Sequence, residues 1–302
     1  MWALKSKSVA TFRAGLVHGT RVRAAALVSR RPGTAPKLLH VLSEGPAKGL
    51  LAWRATQAML EKLPRKKAVV SAVLDPTDYQ LLLTDNMQLP PDELRAAVRW
   101  KIREQISTPA EDAVIDVFEM PESRGQPGML HVIVALPSSI NDLESIVKGS
   151  SRELDVIDIP ELALRNLIML LPQDVSGSVF VLLGRSAVNI LVSWMGVVYV
   201  ARRIDATLGL DVEQLALEVQ RSVQFYESQF DRAPINEIVI GPANKRAHEL
   251  APLLAEACGL HCSVLDLASV LDLEPGIGAV DQPEMLLAIG AALRPTREGP
   301  MP

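Results

Sequence analysis

The sequence predicts an α/β fold of two similar lobes with a cleft between them. Three observations predict it. At 302 residues the chain exceeds the size at which a single hydrophobic core stops growing. Strand-like runs joined by tight turns lead into a helix, another strand and a further helix; this order occurs twice, and the halves meet near residues 150–160. Duplicated strand–helix order of this kind builds layered α/β lobes. The chain is 48% hydrophobic and 22% charged, with 18 Gly and 21 Pro, which excludes collagen-like, low-complexity and wholly disordered chains.

Taken in order, Val9 to Val28 reads as strand, tight turn near His18-Gly19, and strand. Lys37–Leu42 is a third strand after the Arg30-Arg31-Pro32-Gly33 turn. A helix over about Ala47–Leu63 is bracketed by Pro46 and Pro64, and strands Val69–Leu74 and Tyr79–Thr84 are split by Asp75-Pro76-Thr77-Asp78. Pro90-Pro91-Asp92-Glu93 opens the next helix, because proline suits a first turn and acids there complement the helix dipole. Leu94, Val98, Ile102 and Ile106 recur every four residues as one apolar stripe, with Arg95, Arg99 and Arg103 as a basic stripe beside it. The simpler reading of the basic stripe is a solvated face. A strand Ala113–Phe118, a soft linker Pro121–Gly128, a strand Leu130–Leu136 and a helix after Ser138-Ser139 complete the first half.

In the second half, Asp155–Pro160 leads from a strand into a helix ending near Leu171-Pro172. Ser178 to Ala201 is 24 residues with one charge, long enough to span a bilayer. Arg185 and Asn189 inside it, turn-like Gly184 and Met195-Gly196, and seven valines favour buried strands instead. The clearest helix is Asp211–Phe230, with Asp211 placed to cap it and Gln214 in the capping-box position. Its apolar face is Val212, Leu215, Val219, Val223, Tyr226 and Phe230. A strand Ile235–Ile240 ending at Gly241, a helix Lys245–Ala257, a strand Ser263–Leu267 and a helix Met285–Leu293 follow.

Composition also excludes functions. Lys and Arg number 31 against 35 Asp and Glu, a formal charge of −4, so no strong field draws the chain to nucleic acid or an anionic bilayer. Four Trp, three Tyr and five Phe are too few for base-stacking platforms. Cys258 and Cys262 flank His261, a spacing that without a second ligand pair reads as small apolar residues near a helix end. The N-terminal residues lack an apolar run of signal-peptide length, so a protein that is not secreted is expected. No Gly-x-Ser-x-Gly elbow, Gly-x-x-x-x-Gly-Lys-Ser/Thr loop or His-Glu-x-x-His pair occurs, and the five histidines are scattered singly. The residues on their own support no reaction class.

Four blocks in register resemble the type IV pilus assembly protein PilM family, closest to the branch serving mannose-sensitive haemagglutinin pili, MshI. They are Glu93-Leu-Arg-Ala-Ala-Val-Arg-Trp-Lys-Ile-Arg-Glu-Gln-Ile106, Glu111-Asp-Ala-Val-Ile-Asp-Val-Phe118, Asp158-Ile-Pro-Glu-Leu-Ala-Leu-Arg-Asn166 and Leu217-Glu-Val-Gln-Arg-Ser-Val-Gln-Phe-Tyr-Glu227. The resemblance implies an actin-like fold, with a first lobe over 1–155, a small subdomain at about 88–125 inserted in it, and a second lobe over 156–302. It implies a cytoplasmic scaffold held at the inner membrane through partners. That scaffold grips the cytoplasmic tail of a PilN-like bitopic protein and links it to the pilus motor and platform, with no nucleic acid and no membrane span of its own. The tail is expected on the small subdomain, around Leu94, Val98, Trp100, Ile102, Val117 and Phe118; the competing reading of these residues is that subdomain's core.

The same resemblance places ATP in the cleft for some members. The expected nucleotide turns are Gly15 to Val22 with Gly19 and Thr20, Leu183 to Ala187 with Gly184, Arg185 and Ser186, and Gly241 to Asn244. Neither phosphate turn carries the carboxylate that would orient a hydrated metal, and Pro242 removes an amide from the third. A degenerate cleft that needs no cofactor, retains at most ATP binding through glycine amides and does not hydrolyse it is therefore expected. The alternative is an active actin- or sugar-kinase-like ATPase or phosphotransferase with Asp75 or Asp205 supplying the carboxylate.

Overall fold

Thr11–His18 (β1) and Arg23–Arg30 (β2) pair antiparallel from Thr11↔Arg30 to His18↔Arg23. Their side chains alternate between two apolar faces, so both strands are buried almost throughout. The structure, a computed structural model, describes residues 10–19, 21–120, 128–207, 209, 211–230 and 232–295, the side chains of Pro91 and Asp92 excepted. Lys37–Glu44 (β3) extends the meander, and Gly49–Lys62 (α1) crosses over to Val69–Val73 (β4), which runs parallel to β1.

A small subdomain interrupts the lobe here. Tyr79–Asp85 (β5), Pro91–Ile102 (α2), Val114–Glu119 (β6) and Met129–Ala135 (β7) form an antiparallel sheet in the order β5-β7-β6 with α2 on one face. Leu94, Val98 and Ile102 of α2 are fully buried against Ile115, Leu130, Val132 and Val134. The linker expected at 121–128 lies, Gly128 apart, outside the described residues. Pro137–Gly149 (α3) and Leu154–Asp158 (β8) then complete the first sheet beside β4. Pro137 opens α3, three residues before the start expected after Ser139, since proline is suited to a first turn.

Pro160–Ile168 (α4) leads to Ser178–Leu183 (β9), Ala187–Trp194 (β10) and Val197–Asp205 (β11), an antiparallel meander occupying the segment long enough to span a bilayer. Among the described residues no helix is long and apolar enough to cross a membrane. Val212–Gln229 (α5) begins with Asp211 accepting from the Gln214 amide at 2.6 Å, as the capping pattern requires. Glu237–Gly241 (β12), Lys245–Cys258 (α6) and His261–Val264 (β13) finish the second sheet, in the order β11-β10-β9-β12-β13. The expected strand Ser263–Leu267 starts two residues earlier and ends in a short 3-10 turn. Asp272–Leu273 (β14) then pairs with β3, and Pro283–Ala292 (α7) packs on β1, β2 and β4. The division at 155/156 thus runs through β8, and the chain returns to the first sheet at its end.

The layers follow from burial. α1 and α3 cover one face of the first sheet through Met59, Leu60, Ile146 and Val147, while α5 and α6 cover the outer face of the second through Val219, Tyr226 and Leu254. Between the sheets lie α4 and α7. Their Leu164, Leu167, Leu286 and Ile289 join Ala24, Ala26 and Val28 from one sheet to Phe180, Leu182 and Val239 from the other in one cluster. Within α7 every residue but Glu284 is buried.

Gly15 is not part of a phosphate turn. It lies mid-strand in β1, where a Cβ would stand 1.8 Å from the Ala288 carbonyl oxygen of α7. Gly15→Ala is therefore expected to force the helix off the sheet, with a stability loss of about 2–3 kcal/mol and a clear fall in melting temperature. An unchanged melting curve would contradict the contact.

In the small sheet His131 of β7 is 4% exposed, stacks on Phe118 at 4.7 Å, and neither ring nitrogen has a partner among the described residues. Burial pushes its pKa down from 6.5 to about 4. The unfolded ring takes up a proton that the folded ring refuses, so this contribution is complete above about pH 6.5 and is lost as pH falls towards 4. His131→Phe is expected to abolish about 2 kcal/mol of the stability lost between roughly pH 7.5 and pH 5, read by urea unfolding. Parallel pH profiles for the two proteins would refute it.

Candidate functional site

The strand ends of both sheets open on one cleft of about 890 Å³. The first lobe contributes His18, Gly19, Arg21 and Val22 from the β1–β2 turn, Leu74 to Asp78 after β4, and Ser139 and Asp142 of α3. The second contributes Gly184, Arg185, Ser186 and Ala187 from the β9–β10 turn, Asn189 of β10, and Arg203, Asp205 and Thr207 at the end of β11. Pro283, Glu284 and Leu287 of α7 also line it. Gly19, Gly184, Arg185 and Ser186 thus line one cavity, while Thr20 lies outside the described residues.

The third expected turn does not join them. A Cβ on Gly241 would stand 2.9 Å from Leu286 Cδ1 and 3.1 Å from Phe180 Cζ, so this glycine serves the packing of β12 on α7. Asn244 caps α6, its Oδ1 accepting from the Ala247 amide at 3.0 Å and its Nδ2 donating to the Asp281 carbonyl at 3.1 Å. Neither residue lines the cleft.

The cleft wall holds the carboxylates of Asp75, Asp78, Asp142, Asp205 and Glu284 against the guanidinium groups of Arg21, Arg185 and Arg203. Asp75 and Asp205 are engaged locally in the same way. Asp75 Oδ1 accepts from the Thr77 amide at 3.0 Å and its hydroxyl at 2.7 Å, and Asp205 Oδ1 from the Thr207 amide at 2.7 Å and its hydroxyl at 2.5 Å. Those Thr207 bonds hold the Asp205 carboxyl below its ordinary pKa. Burial raises Asp78, and the neighbouring Asp75 and Asp142 charges raise it further. Burial also raises Glu284, against the pull of Arg185, and its Oε2 has no partner among the described residues. Asn189, 7% exposed, likewise leaves Oδ1 unpaired. His18 shares a 2.8 Å hydrogen bond with Thr56, and burial with the nearby Arg23 keeps its pKa low. Arg203 Nη1 reaches across the cleft between the lobes and donates to the Pro76 carbonyl at 2.8 Å.

Neither phosphate turn presents a carboxylate, the third turn is packed against α7, and no group of three metal-ligating side chains is found among the described residues. Sequence reasoning passed over Asn189, Glu284, Asp78, Asp142, Arg21 and Arg203. The available signals were a lone amide in a valine-rich run and an acid following a first-turn proline.

The six residues expected to hold a partner peptide are dispersed by the small sheet. Leu94, Val98 and Ile102 are core rather than surface, because the α2 stripe is what seats that helix on its sheet. Val117 packs on the same side, whereas Phe118 faces the opposite side and stacks on His131. Trp100 is 69% exposed, with the Arg103 guanidinium 4.3 Å from its ring centroid. The basic stripe is largely engaged: Arg95 pairs with Asp116 at 3.0 Å, and Arg99 donates to the Ala110 and Ala113 carbonyls.

A second cavity, of about 220 Å³, lies on the far side of that sheet between Leu81–Leu83 of β5, Met120, His131, Tyr199–Arg202 of β11 and Phe225 of α5.

No protein-family model matches the chain, and no curated protein matches it. Among solved structures it is similar to a PilM–PilN type IV pilus biogenesis complex at 18% identity and a TM-score of 0.73, covering 93% of this chain and 97% of that one. It is also similar to the cytoplasmic domain of EpsL, an inner-membrane component of the Vibrio cholerae type II secretion system (11% identity, TM-score 0.51, 95% and 97% covered). A Bacteroides thetaiotaomicron protein with an actin-like ATPase fold and unknown function matches at 8% identity and a TM-score of 0.52, covering 90% and 96%. The chain has the actin-like fold, two α/β lobes with a small subdomain inserted in the first.

Proposed function

We propose that this chain is a non-hydrolysing scaffold of a type IV pilus assembly machine, of the PilM kind and nearest the MshI branch. In this reading it sits in the cytoplasm, is held at the inner membrane by gripping the cytoplasmic tail of a PilN-like bitopic protein, and links that tail to the motor. One observation carries the reading: the end-to-end likeness to a solved PilM–PilN complex, over 93% of one chain and 97% of the other. The cleft chemistry agrees with it. Phosphoryl transfer depends on a positioned metal and on charge stabilisation around it, and the turns that would cradle phosphate carry Gly19, Gly184 and Arg185 but no acid. Nucleotide, where it binds, would rest on those turn amides and on Arg185.

The rival reading, an active ATPase or phosphotransferase, draws on the five carboxylates of the cleft wall. Calorimetric titration of the nucleotide-free protein with ATP, with and without Mg²⁺, separates the two. The scaffold reading expects no Mg²⁺-dependent binding in the micromolar range and no phosphate release above buffer; Mg²⁺-dependent binding with turnover would establish the enzyme.

For the partner, co-expression with a full-length PilN-like protein is expected to retain this chain in the membrane fraction, and deletion of that protein's cytoplasmic tail to release it. Trp100 is the member of the expected tail-binding set that stands most exposed to solvent. Trp100→Ala is expected to leave the melting temperature unchanged and to weaken tail capture several-fold. Undiminished capture would take the outer face of α2 out of the contact.

A further inference from the structure

The turn between α1 and β4, Pro64 to Ala68, is built around a buried cation. Arg152, which follows α3 and is 7% exposed, lies behind it. Its Nε donates to the Leu60 carbonyl at 3.2 Å, Nη2 to the Leu63 carbonyl at 2.7 Å and Nη1 to the Arg65 carbonyl at 3.0 Å. The Pro64 and Ala68 carbonyls stand at 3.5 Å from the same group. These bonds satisfy the last carbonyls of α1, which accounts for an arginine at this place. They do not neutralise it, because among the described residues all of its partners are carbonyls.

The same bonds turn amides outward. In a trans peptide the carbonyl and the amide that follows it point in opposite directions. With the Pro64 and Arg65 carbonyls on Arg152, the amides of Arg65 and Lys66 face away from it, and neither donates to a described backbone group. Arg65 is left-handed, at φ 60°, which a residue other than glycine adopts only at a cost; Lys66 and Lys67 are not. The Ala68 amide closes the turn on the Arg65 carbonyl at 2.8 Å, so with both central residues at negative φ the turn is type I and Lys66 is right-handed. A left-handed residue followed by a right-handed one converges successive amides into an anion-binding nest. Lys66 and Lys67 are exposed beside it and make no ion pair among the described residues. The Arg65 guanidinium rests 4.7 Å from the centroid of the Phe12 ring. The acids adjoining the turn in the chain or beside Arg152 are Glu61 and Glu153, against the cations Arg65, Lys66, Lys67 and Arg152.

The geometry points to a binding site for a phosphate group at Arg65-Lys66-Lys67, held by the outward amides and the two lysine ammonium groups, with Arg152 as the positioning residue that shapes the turn from behind. A phosphate suits it because several oxygens accept at once, from amides on one side and ammonium groups on the other. The group is that of a lipid headgroup or of phosphate free in solution. The turn precedes Val69 at the start of β4, whereas the cleft wall begins at Leu74 after its end, so the two sites lie at opposite ends of one strand. The site goes beyond the scaffold reading and does not depend on it.

Amide-resolved NMR of the full chain, titrated with inorganic phosphate against sodium chloride at matched ionic strength, tests it. The Arg65 and Lys66 amides are expected to shift saturably with phosphate, with a dissociation constant in the millimolar range, and not with chloride. The double variant Lys66→Ala, Lys67→Ala is expected to keep its melting temperature and to bind phosphate about tenfold more weakly. Arg152→Lys keeps the charge but loses the planar fork that grips several carbonyls, and is expected to abolish the saturable shift of both amides; if it fails to fold, the double variant alone carries the test. Co-sedimentation with phosphatidylglycerol vesicles, and with phosphatidylcholine vesicles as control, identifies the source. Retention on the former that the double variant loses assigns the lipid headgroup, and phosphate binding without such retention assigns free phosphate. No saturable shift at these amides, an equal shift with chloride, or undiminished affinity in the double variant would overturn the site. Shifts confined to the Gly19 and Gly184 amides would place the phosphate in the cleft and overturn it as well.

Discussion

The structure hangs on how closely α7 approaches its neighbours. On one side Gly15 lets the Ala288 carbonyl of α7 settle against the backbone of β1; on the other Gly290 of α7 lies so near α4 that a Cβ there would stand 2.1 Å from the Ala163 carbonyl. A side chain at either glycine would push backbone against backbone, which cannot yield as a rotamer can. Asn166 of α4 donates to the Gly290 carbonyl at 3.1 Å, and at the C-terminal end Arg294 pairs with Asp158 while Arg30 donates to the Leu293 carbonyl. Pinned in this way, α7 and α4 present apolar surface to both sheets, and the separation of the lobes is set by one helix pair. The cleft inherits that geometry, because the N-terminal turn of α7 carries Pro283, Glu284 and Leu287 into its wall.

The cleft is rich in acids, and among the described residues no three metal-ligating side chains group together. Asp75 and Asp205 each spend one oxygen on the hydroxyl and amide of a threonine two residues on, a local bond that orders the strand-to-loop exit. Asp78 is raised by burial beside Asp75 and Asp142, which is what crowding carboxylates without a counter-ion does. The cations Arg21, Arg185 and Arg203 lie on the same wall, and Arg203 is tied to the Pro76 carbonyl across the gap. The Arg203 bond to Pro76 thus ties the second lobe to the first at the mouth of the cleft.

What could be read from the sequence follows from which forces act locally. The β1–β2 hairpin and the α5 cap were legible because the turn at His18-Gly19 and the Asp211–Gln214 spacing are properties of neighbours in the chain. The α2 stripe was legible as a stripe, but not as core: Leu94, Val98 and Ile102 look the same in one dimension whether they meet their own sheet or a partner. Gly15 and Gly241 read as turn glycines in one dimension, since the letter is the same for a permissive backbone and for a close approach, and here it is the approach of α7 that excludes a side chain. β14 is two residues long and is specified by pairing with β3, with Lys37 bridging to Glu274 at 2.8 Å, a partnership more than two hundred residues apart that no local pattern encodes. His131 carried no signal, because its burial results from Phe118 and Leu83 on adjacent strands at the same level of the sheet.

β5 and β11 bind these features into one object. β5 begins at Tyr79, one residue past the Asp75–Asp78 segment of the cleft wall, and its next residues, Leu81 to Leu83, line the apolar pocket. β11 runs the other way, with Tyr199 to Arg202 on the pocket and Arg203 and Asp205 on the cleft. At the junction Tyr79 donates to Glu161 of α4 at 2.6 Å, fastening the inserted subdomain to the central helix pair, while Arg203 holds Pro76. A strand is stiff along its length and hinges at its ends. Each of the two strands therefore borders the cleft at one end and the apolar cavity at the other, with the inserted subdomain between them.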